Sequence, residues 1–417
     1  MNWFKKEILP GFIVGIVSIA LVLGAIEIGF RFTMAFGTIN WPTRFDAKYG
    51  FTFAPREDVR WTNYFDFWQA TRANSLGFLD REPIQPEKRP GTCQVTFIGD
   101  SFVEAAQVPI EKKVQVVLES LARERIPALK ITTSGFGFSG TGQLNQLPFY
   151  DEFARAGRPK ALILVVVAND FANNSSVLEA LRNGWDPEHS PRLFARKNAA
   201  GQYEIQPIDA EWAKFTLKRP VEAAQMRARL HSILQGRSLA YRWFYGKVAI
   251  LHPGVAKFLS GGASGVNLVS YFAEQLRQRP QFAKILEGWD PEKSPSLDGP
   301  FFEKDMAPIF EEAVETSGFA LDQYLLRAKN DGFRLLLLAD YTLKPKKENN
   351  YYFDRVEKLA RERGIPVIDH RKHIDESGGK PEDAHFRFDG HWSEQGHRWA
   401  AEAVMNYMIS HPELCVS

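Results

Sequence analysis

Five short runs, apolar along nearly their whole length, constrain the fold of this chain more than any other feature. They are CQVTFI (93–98), ALKITT (128–133), KALILVVVA (160–168), FRLLLLADY (333–341) and IPVIDH (365–370). A strand with one wet face alternates apolar and polar residues, whereas a strand buried on both faces has no need to. Helical patterns separate or follow these runs, from about 111 to 125, 352 to 363 and 393 to 411. Strands alternating with helices predict a doubly wound parallel sheet covered on both faces. Such a sheet binds ligands at the carboxyl ends of its strands.

The rhythm stops between 174 and about 318. So long a stretch cannot be a structureless loop in a compact domain, and its helical patterns (EWAKF, 221–234, then RSLAYRWFYGKVAIL) read as a mostly helical insertion. Within it NGWDPEHSP (183–191) and EGWDPEKSP (287–295) nearly repeat. Asp, Pro and Glu in that order suit a helix N-terminus, with Asp as cap, Pro at the first helical position and Glu at the positive dipole end. The other reading makes Trp185 and Trp289 a pair of aromatic platforms over the cleft.

At the other end of the chain, residues 8–30 carry a single charge, Glu27. About 20 apolar residues in a helix cross a bilayer. A cleaved signal has a shorter apolar core and a small-residue cleavage site, so an uncleaved anchor is expected. Lys5 and Lys6 precede it, which favours a cytoplasmic N-terminus and export of the rest. Residues 36–92 read as an aromatic-rich connecting segment. WPTRFDAKYGFTFAP and RWTNYFDFWQ are short β or irregular pieces, and EPIQPEKRPGT is a linker. The expected organisation is therefore an anchor over 1–35, the connecting segment over 36–92, an α/β domain split into 93–174 and 321–417, and the insertion over 175–320. A formal net charge of +2 gives no sign of a nucleic-acid partner. The two cysteines, Cys93 and Cys415, form no CxxC or Cys/His cluster, so no metal is expected.

Four segments near predicted strand ends carry chemistry. In FIGDSFVEA (97–105) Ser101 sits on a strand-to-helix turn, where free N–H groups can hold an oxyanion. The same residues can also simply cap a helix. SGFGFSGTGQ (134–143) is a glycine-rich loop expected just after the second strand, and it lacks the lysine of a P-loop. VVVANDF (165–171) brings Asn169 to the end of the third strand. In FRFDGHWSEQGHRWAAEA (386–403), Asp389 and His391 lie two apart before the last helix, and His397 inside it. A serine, an imidazole to take its proton and a carboxylate to fix the imidazole form a catalytic triad.

Taken together, Ser in GDS, a following Gly, Asn in ND, and His near Asp resemble the SGNH (GDSL-type) hydrolase family. The likeness covers about 93–174 and 333–410. ANSLGFLDREP (73–83) is similar to a stretch upstream of the GDS block in membrane-tethered bacterial SGNH proteins. The resemblance implies a flavodoxin-like three-layer α/β/α fold, Ser101 as nucleophile, His391 as base with Asp389, and an oxyanion hole of Ser101, Gly140 and Asn169. Gly137 fits nearly as well as Gly140. Val167 replaces the Gly of the family's third block, and Ala105 and Ala106 stand where Gly is common. Asp389-Gly390-His391-Trp392 replaces Asp-x-x-His and resembles the polysaccharide acetyltransferase branch, the alginate-type enzymes.

The expected function is a serine esterase or O-acyltransferase without cofactor. It would be held by one span in a bacterial inner membrane, with the bulk of the chain in the periplasm, and would act on acyl esters, chiefly acetyl esters of a cell-surface glycan. The alternative is a catalytically silent subunit that docks or scaffolds at the membrane. Parallel topology also brings Cys93, at the first strand's start, and Cys415, past the last helix, to one edge of the molecule. Export would let them pair, and two separate thiols is the other reading.

Overall fold

In the computed structural model, which describes residues 9–33, 39–83, 91–218, 225–260, 268–340 and 350–415, the five apolar runs form one sheet. Its strands are β1 (Cys93–Gly99), β2 (Ile131–Gly137), β3 (Ala161–Val166), β4 (Arg334–Ala339) and β5 (Val367–Asp369). All pairings are parallel and the order is β5-β4-β3-β1-β2. This is the flavodoxin-like order, with its switch point between β1 and β3. The helices used below are α1 (Ser101–Glu104), α2 (Val114–Arg125), α3 (Gln143–Phe149), α4 (Asp170–Asn174), α5 (Pro308–Asp331), α6 (Tyr351–Glu362), α7 (His370–Glu376) and α8 (Glu394–Ser410).

Two apolar layers explain why the strands are apolar throughout. Val95, Phe97, Ile163, Val165, Leu336 and Leu338 face α2 and α8, packing with Leu118, Ala122, Val404 and Met405. Ile98, Leu162, Leu164, Val166, Leu335 and Leu337 face the opposite way, with Leu144, Leu147, Ala320, Tyr324 and Val356 of α3, α5 and α6. Alternate residues of each strand thus serve different layers, which is the three-layer α/β/α arrangement. The edge carrying the strand starts is tied by a disulfide, Cys93 to Cys415, with Cα atoms 5.2 Å apart. Of the two readings left open by the sequence, the structure takes the bonded one.

Several local expectations change. β2 continues through Gly137, so the glycine-rich segment begins inside the strand rather than after it. EWAKF supplies only the 3-10 turn Trp212–Lys214, and the insertion also holds an antiparallel pair, Phe194–Lys197 with Tyr203–Gln206. Neither half of the WDPE repeat starts a helix. Asp186 accepts from the Glu188 N–H at 2.9 Å and Asp290 from the Glu292 N–H at 3.0 Å, so each caps an Asx-turn. Trp289 is buried against Phe310 and donates to the Ser294 carbonyl, which removes the paired platforms.

Contacts divide the chain into two compact units. The sheet lies in the unit built from 41–61, 66–220 and 267–417. The other unit draws on 1–40, 62–65 and 221–266. It contains the helix Leu9–Thr33, whose window Val14–Phe32 has a mean hydropathy of 1.9 and is long and apolar enough to cross a membrane. Lys5 and Lys6, most of the expected linker EPIQPEKRPGT, the first residues of the 221–234 helix and Tyr341 lie outside the described residues.

Candidate active site

β1 delivers Ser101 to the carboxyl end of the sheet beside the switch point. Ser101 opens α1, a single turn capped by Asp100, whose carboxylate accepts from the Phe102 N–H at 3.0 Å. The Asp100 carbonyl takes the N–H groups of Val103 and Glu104. Ser101's own N–H has no acceptor among the described residues. This turn can sit against the end of β2 because residue 137 is glycine, since a Cβ there would overlap the Glu104 nitrogen. α1 ends on Ala105 at φ 45° and ψ 54°. That left-handed conformation costs an L-residue roughly 1–2 kcal/mol.

His391 comes from the loop before α8. Its Nε2 lies 2.8 Å from Ser101 Oγ, and its Nδ1 makes a short hydrogen bond with Asp389 Oδ1. Gly390 between them has φ +83°, which lets the carboxylate fold back onto the ring two residues on. With Nδ1–H donated to Asp389, Nε2 is the lone pair left for the serine proton. Burial works against a charge on this imidazole. The hydrogen bond and charge of Asp389, with the charges of Asp100 and Glu104 behind them, outweigh burial and raise its pKa above the ordinary 6.5.

Asp100 Oδ2 draws two groups together. Ser101 Oγ approaches it at 3.3 Å, longer than its contact with His391, and Asn169 Nδ2 donates to it at 3.2 Å. Ser101, His391, Asp389 and Asn169 therefore meet at one point. Gly140 makes no hydrogen bond to these four among the described residues. Its φ is +66°, its N–H has no acceptor among the same residues, and its carbonyl accepts from Arg192.

The loop carrying Gly140 is clamped from two sides. Glu104 accepts from the Ser139 N–H at 2.8 Å and from its hydroxyl at 2.7 Å. Burial pushes the Glu104 carboxyl up to about 7 against these bonds. Lys113 Nζ donates to the carbonyls of Glu104 and Leu79, each at 2.5 Å, and burial lowers its pKa to about 8. On the far side Arg192 lies over the Trp185 ring, 5.2 Å from its centroid. Half of the repeat noted in the sequence thus supports the arginine that holds Gly140.

The imidazole loop is anchored through its next residue. Trp392 is buried and its Nε1 donates to Asp340 Oδ2 at 2.7 Å, an oxygen shared with His385 Nε2 at 3.1 Å. His370 Nδ1 stands 3.6 Å from the other oxygen, too far for a well-formed hydrogen bond. Burial raises the Asp340 pKa, but its histidine partners more than offset this and hold it well below the usual carboxylate value. His397 Nδ1 accepts from the Val114 N–H at 3.3 Å, fastening α8 to the start of α2. Among the described residues no group of three or more His, Cys, Asp or Glu side chains could hold a metal ion.

Asp340, Glu104 and Arg192 were not singled out by the sequence. Only Asp340 left a signal, as a lone carboxylate closing the apolar strand FRLLLLAD.

The fold is that of an α/β domain with one parallel five-stranded sheet. Residues 334–414 match the family model described as the SGNH hydrolase-like domain of acetyltransferase AlgX. The matched stretch contains Asp340, Asp389, His391 and Trp392, while Ser101, Gly140 and Asn169 lie outside it. The chain thus carries an SGNH hydrolase-like domain, whose coarse class is ester hydrolysis or acetyl transfer. Among solved structures, the acetyl xylan esterase AlAXEase is 11% identical, with a TM-score of 0.36 over 75% of this chain and 98% of that one. LAE5, an alpha/beta hydrolase from the metagenome of Lake Arreo, gives 11% and 0.36 over 75% and 94%. The acetylxylan esterase Axe2 of Geobacillus stearothermophilus gives 12% and 0.36 over 76% and 94%. Scores this low carry no assignment of substrate. No curated protein matches the chain by sequence.

Proposed function

We propose that the chain is a membrane-anchored, extracytoplasmic serine esterase or O-acyltransferase acting on acetyl or similar acyl esters of a cell-surface polysaccharide. Ser101 attacks the acyl carbonyl while His391 takes its proton, and Asp389 stabilises the imidazolium that forms. The carbonyl oxygen becomes an oxyanion held by the N–H groups of Ser101 and Gly140 and by the Asn169 amide. Collapse of the tetrahedral intermediate expels the alcohol, which takes the proton back from His391. The acyl-serine then passes its acyl group to water or to a sugar hydroxyl. One observation carries this reading: Ser101 Oγ lies 2.8 Å from His391 Nε2 while Asp389 occupies the other ring nitrogen. The apolar helix at Leu9–Thr33 and the disulfide, which persists in oxidising compartments, support an anchored domain outside the cytoplasm. The reading is tested by assaying an activated acetyl ester with and without an oligosaccharide acceptor. Release that disappears in Ser101→Ala supports it. Equal rates in wild type and Ser101→Ala would favour the silent, scaffolding alternative.

A further inference from the structure

We infer that residues 225–260 form an interfacial membrane element, three helices lying among the headgroups of an anionic bilayer beside the span Val14–Phe32. The inference rests on Leu9–Thr33 being an uncleaved anchor. The helices are Gln225–Arg237, Leu239–Leu251 and Pro253–Leu259. The chain as a whole balances 52 basic residues with 50 acidic ones, yet 225–260 contains six Lys and Arg and no Asp or Glu. Leu239–Leu251 reads LAYRWFYGKVAIL, and none of its residues is buried. Leu230, Ile233, Phe244, Leu251 and Val255 are between 49% and 55% exposed. Apolar and aromatic side chains left exposed on cationic helices are the composition that settles at an anionic lipid surface.

Their position along the span agrees. Glu27, the acidic residue of the apolar helix, accepts from Ser238 Oγ at 2.9 Å and from the N–H groups of Leu239 and Ala240 at 3.2 and 3.1 Å. Arg31 donates to the same carboxylate at 2.8 Å, and the Phe30 and Trp243 rings lie 5.8 Å apart. Leu239–Leu251 therefore starts at the C-terminal end of the span, the depth at which headgroups begin. The span that this helix touches exposes Val22, Ile26 and Ile28 in the same way, and an apolar span alongside favours lipid over an acidic protein partner.

Both native cysteines are bonded to each other, so one introduced cysteine is the only free thiol for a label. Full-length Phe244→Cys and Leu251→Cys proteins, with Val22→Cys and Ala200→Cys as controls, are labelled with an environment-sensitive fluorophore. They are reconstituted in phosphatidylglycerol–phosphatidylcholine vesicles and exposed to iodide or to a shallow nitroxide lipid. Emission at 244 and 251 should be lost to the nitroxide lipid and shielded from iodide, as at Val22 and unlike Ala200. The shielding should fall when phosphatidylglycerol is omitted or Arg242→Glu and Lys247→Glu are added. If 244 and 251 behave like Ala200 while Val22 stays in lipid, the interfacial element is wrong and the anchor stands. A Val22 label open to iodide sinks both. Labels at 244 and 251 shielded from iodide yet untouched by the nitroxide lipid mean a protein covers the helices, and that also overturns the inference.

Discussion

At the residue scale, the ionisation of His391 decides when the proposed mechanism can run. A general base must be neutral, and the Asp389 carboxylate lifts this imidazole above 6.5 despite its burial. The rate should therefore fall as pH drops through a value higher than that of a free histidine, and kcat/KM against pH gives that value directly. Asp389→Asn removes the charge and allows the wrong tautomer. It is expected to lower kcat about 10⁴-fold and to move the acidic limb downward. An unshifted limb would mean that Asp389 does not set the base. Asn169 is tested separately: Asn169→Ala should cost about 10²–10³ in kcat, because one oxyanion donor is lost. Unchanged turnover in that variant would remove Asn169 from the proposed hole.

At the scale of elements, two buried carboxylates hold the loops of the proposed site in register. Glu104 joins α1 to the loop after β2 through both polar groups of Ser139. Glu104→Ala strands those donors, at about 1–3 kcal/mol, and frees the loop that carries Gly140. Glu104→Gln keeps one acceptor and offers one donor. Recovery of kcat in the Gln variant, measured beside thermal stability, is the expected sign of a positioning role; equal loss in both would argue against it. Asp340→Ala strands Trp392 and His385, and each buried polar group left without a partner costs about 1–3 kcal/mol. Because the Asp340 carboxyl is held well below 3.8, its contribution is complete above that pH and is lost as pH falls through the lower folded value. Denaturation of both proteins should show a constant gap from neutral pH down to about 4, closing only in stronger acid.

These clamps also mark where the sequence stops being informative. The sheet was legible because strands buried on both faces leave long apolar runs. That Ser101, Asn169, Asp389 and His391 would come near one another was legible because their order along the chain resembles a known pattern. Glu104 and Arg192 act through contacts with Ser139 and Gly140, 35 and 52 residues away along the chain, so no local pattern shows them. The WDPE repeat misled for a related reason. Asp before Pro supports an Asx-turn as readily as a helix cap, and tertiary packing decides whether the chain beyond the turn coils into a helix.

At the scale of the whole molecule, the disulfide closes a separation of 322 residues between the first strand and the chain's end. In the chain-entropy model such a closure adds on the order of 5 kcal/mol, though measured values often fall short. A reductant, or the double change Cys93→Ser with Cys415→Ser, should lower the unfolding midpoint and leave the Ser101–His391 geometry intact, since the bridge lies at the opposite edge of the sheet. Stability and activity measured together separate these effects, and loss of activity in a still-folded reduced protein would contradict the separation. The most direct measurement of the central claim is labelling of the intact protein with a fluorophosphonate, followed by peptide mapping of the adduct. The expected result is one adduct on Ser101, absent in Ser101→Ala and strongly slowed in His391→Ala. Adduct at another residue, or none on a folded wild-type protein, would contradict the proposal that Ser101 is an activated nucleophile.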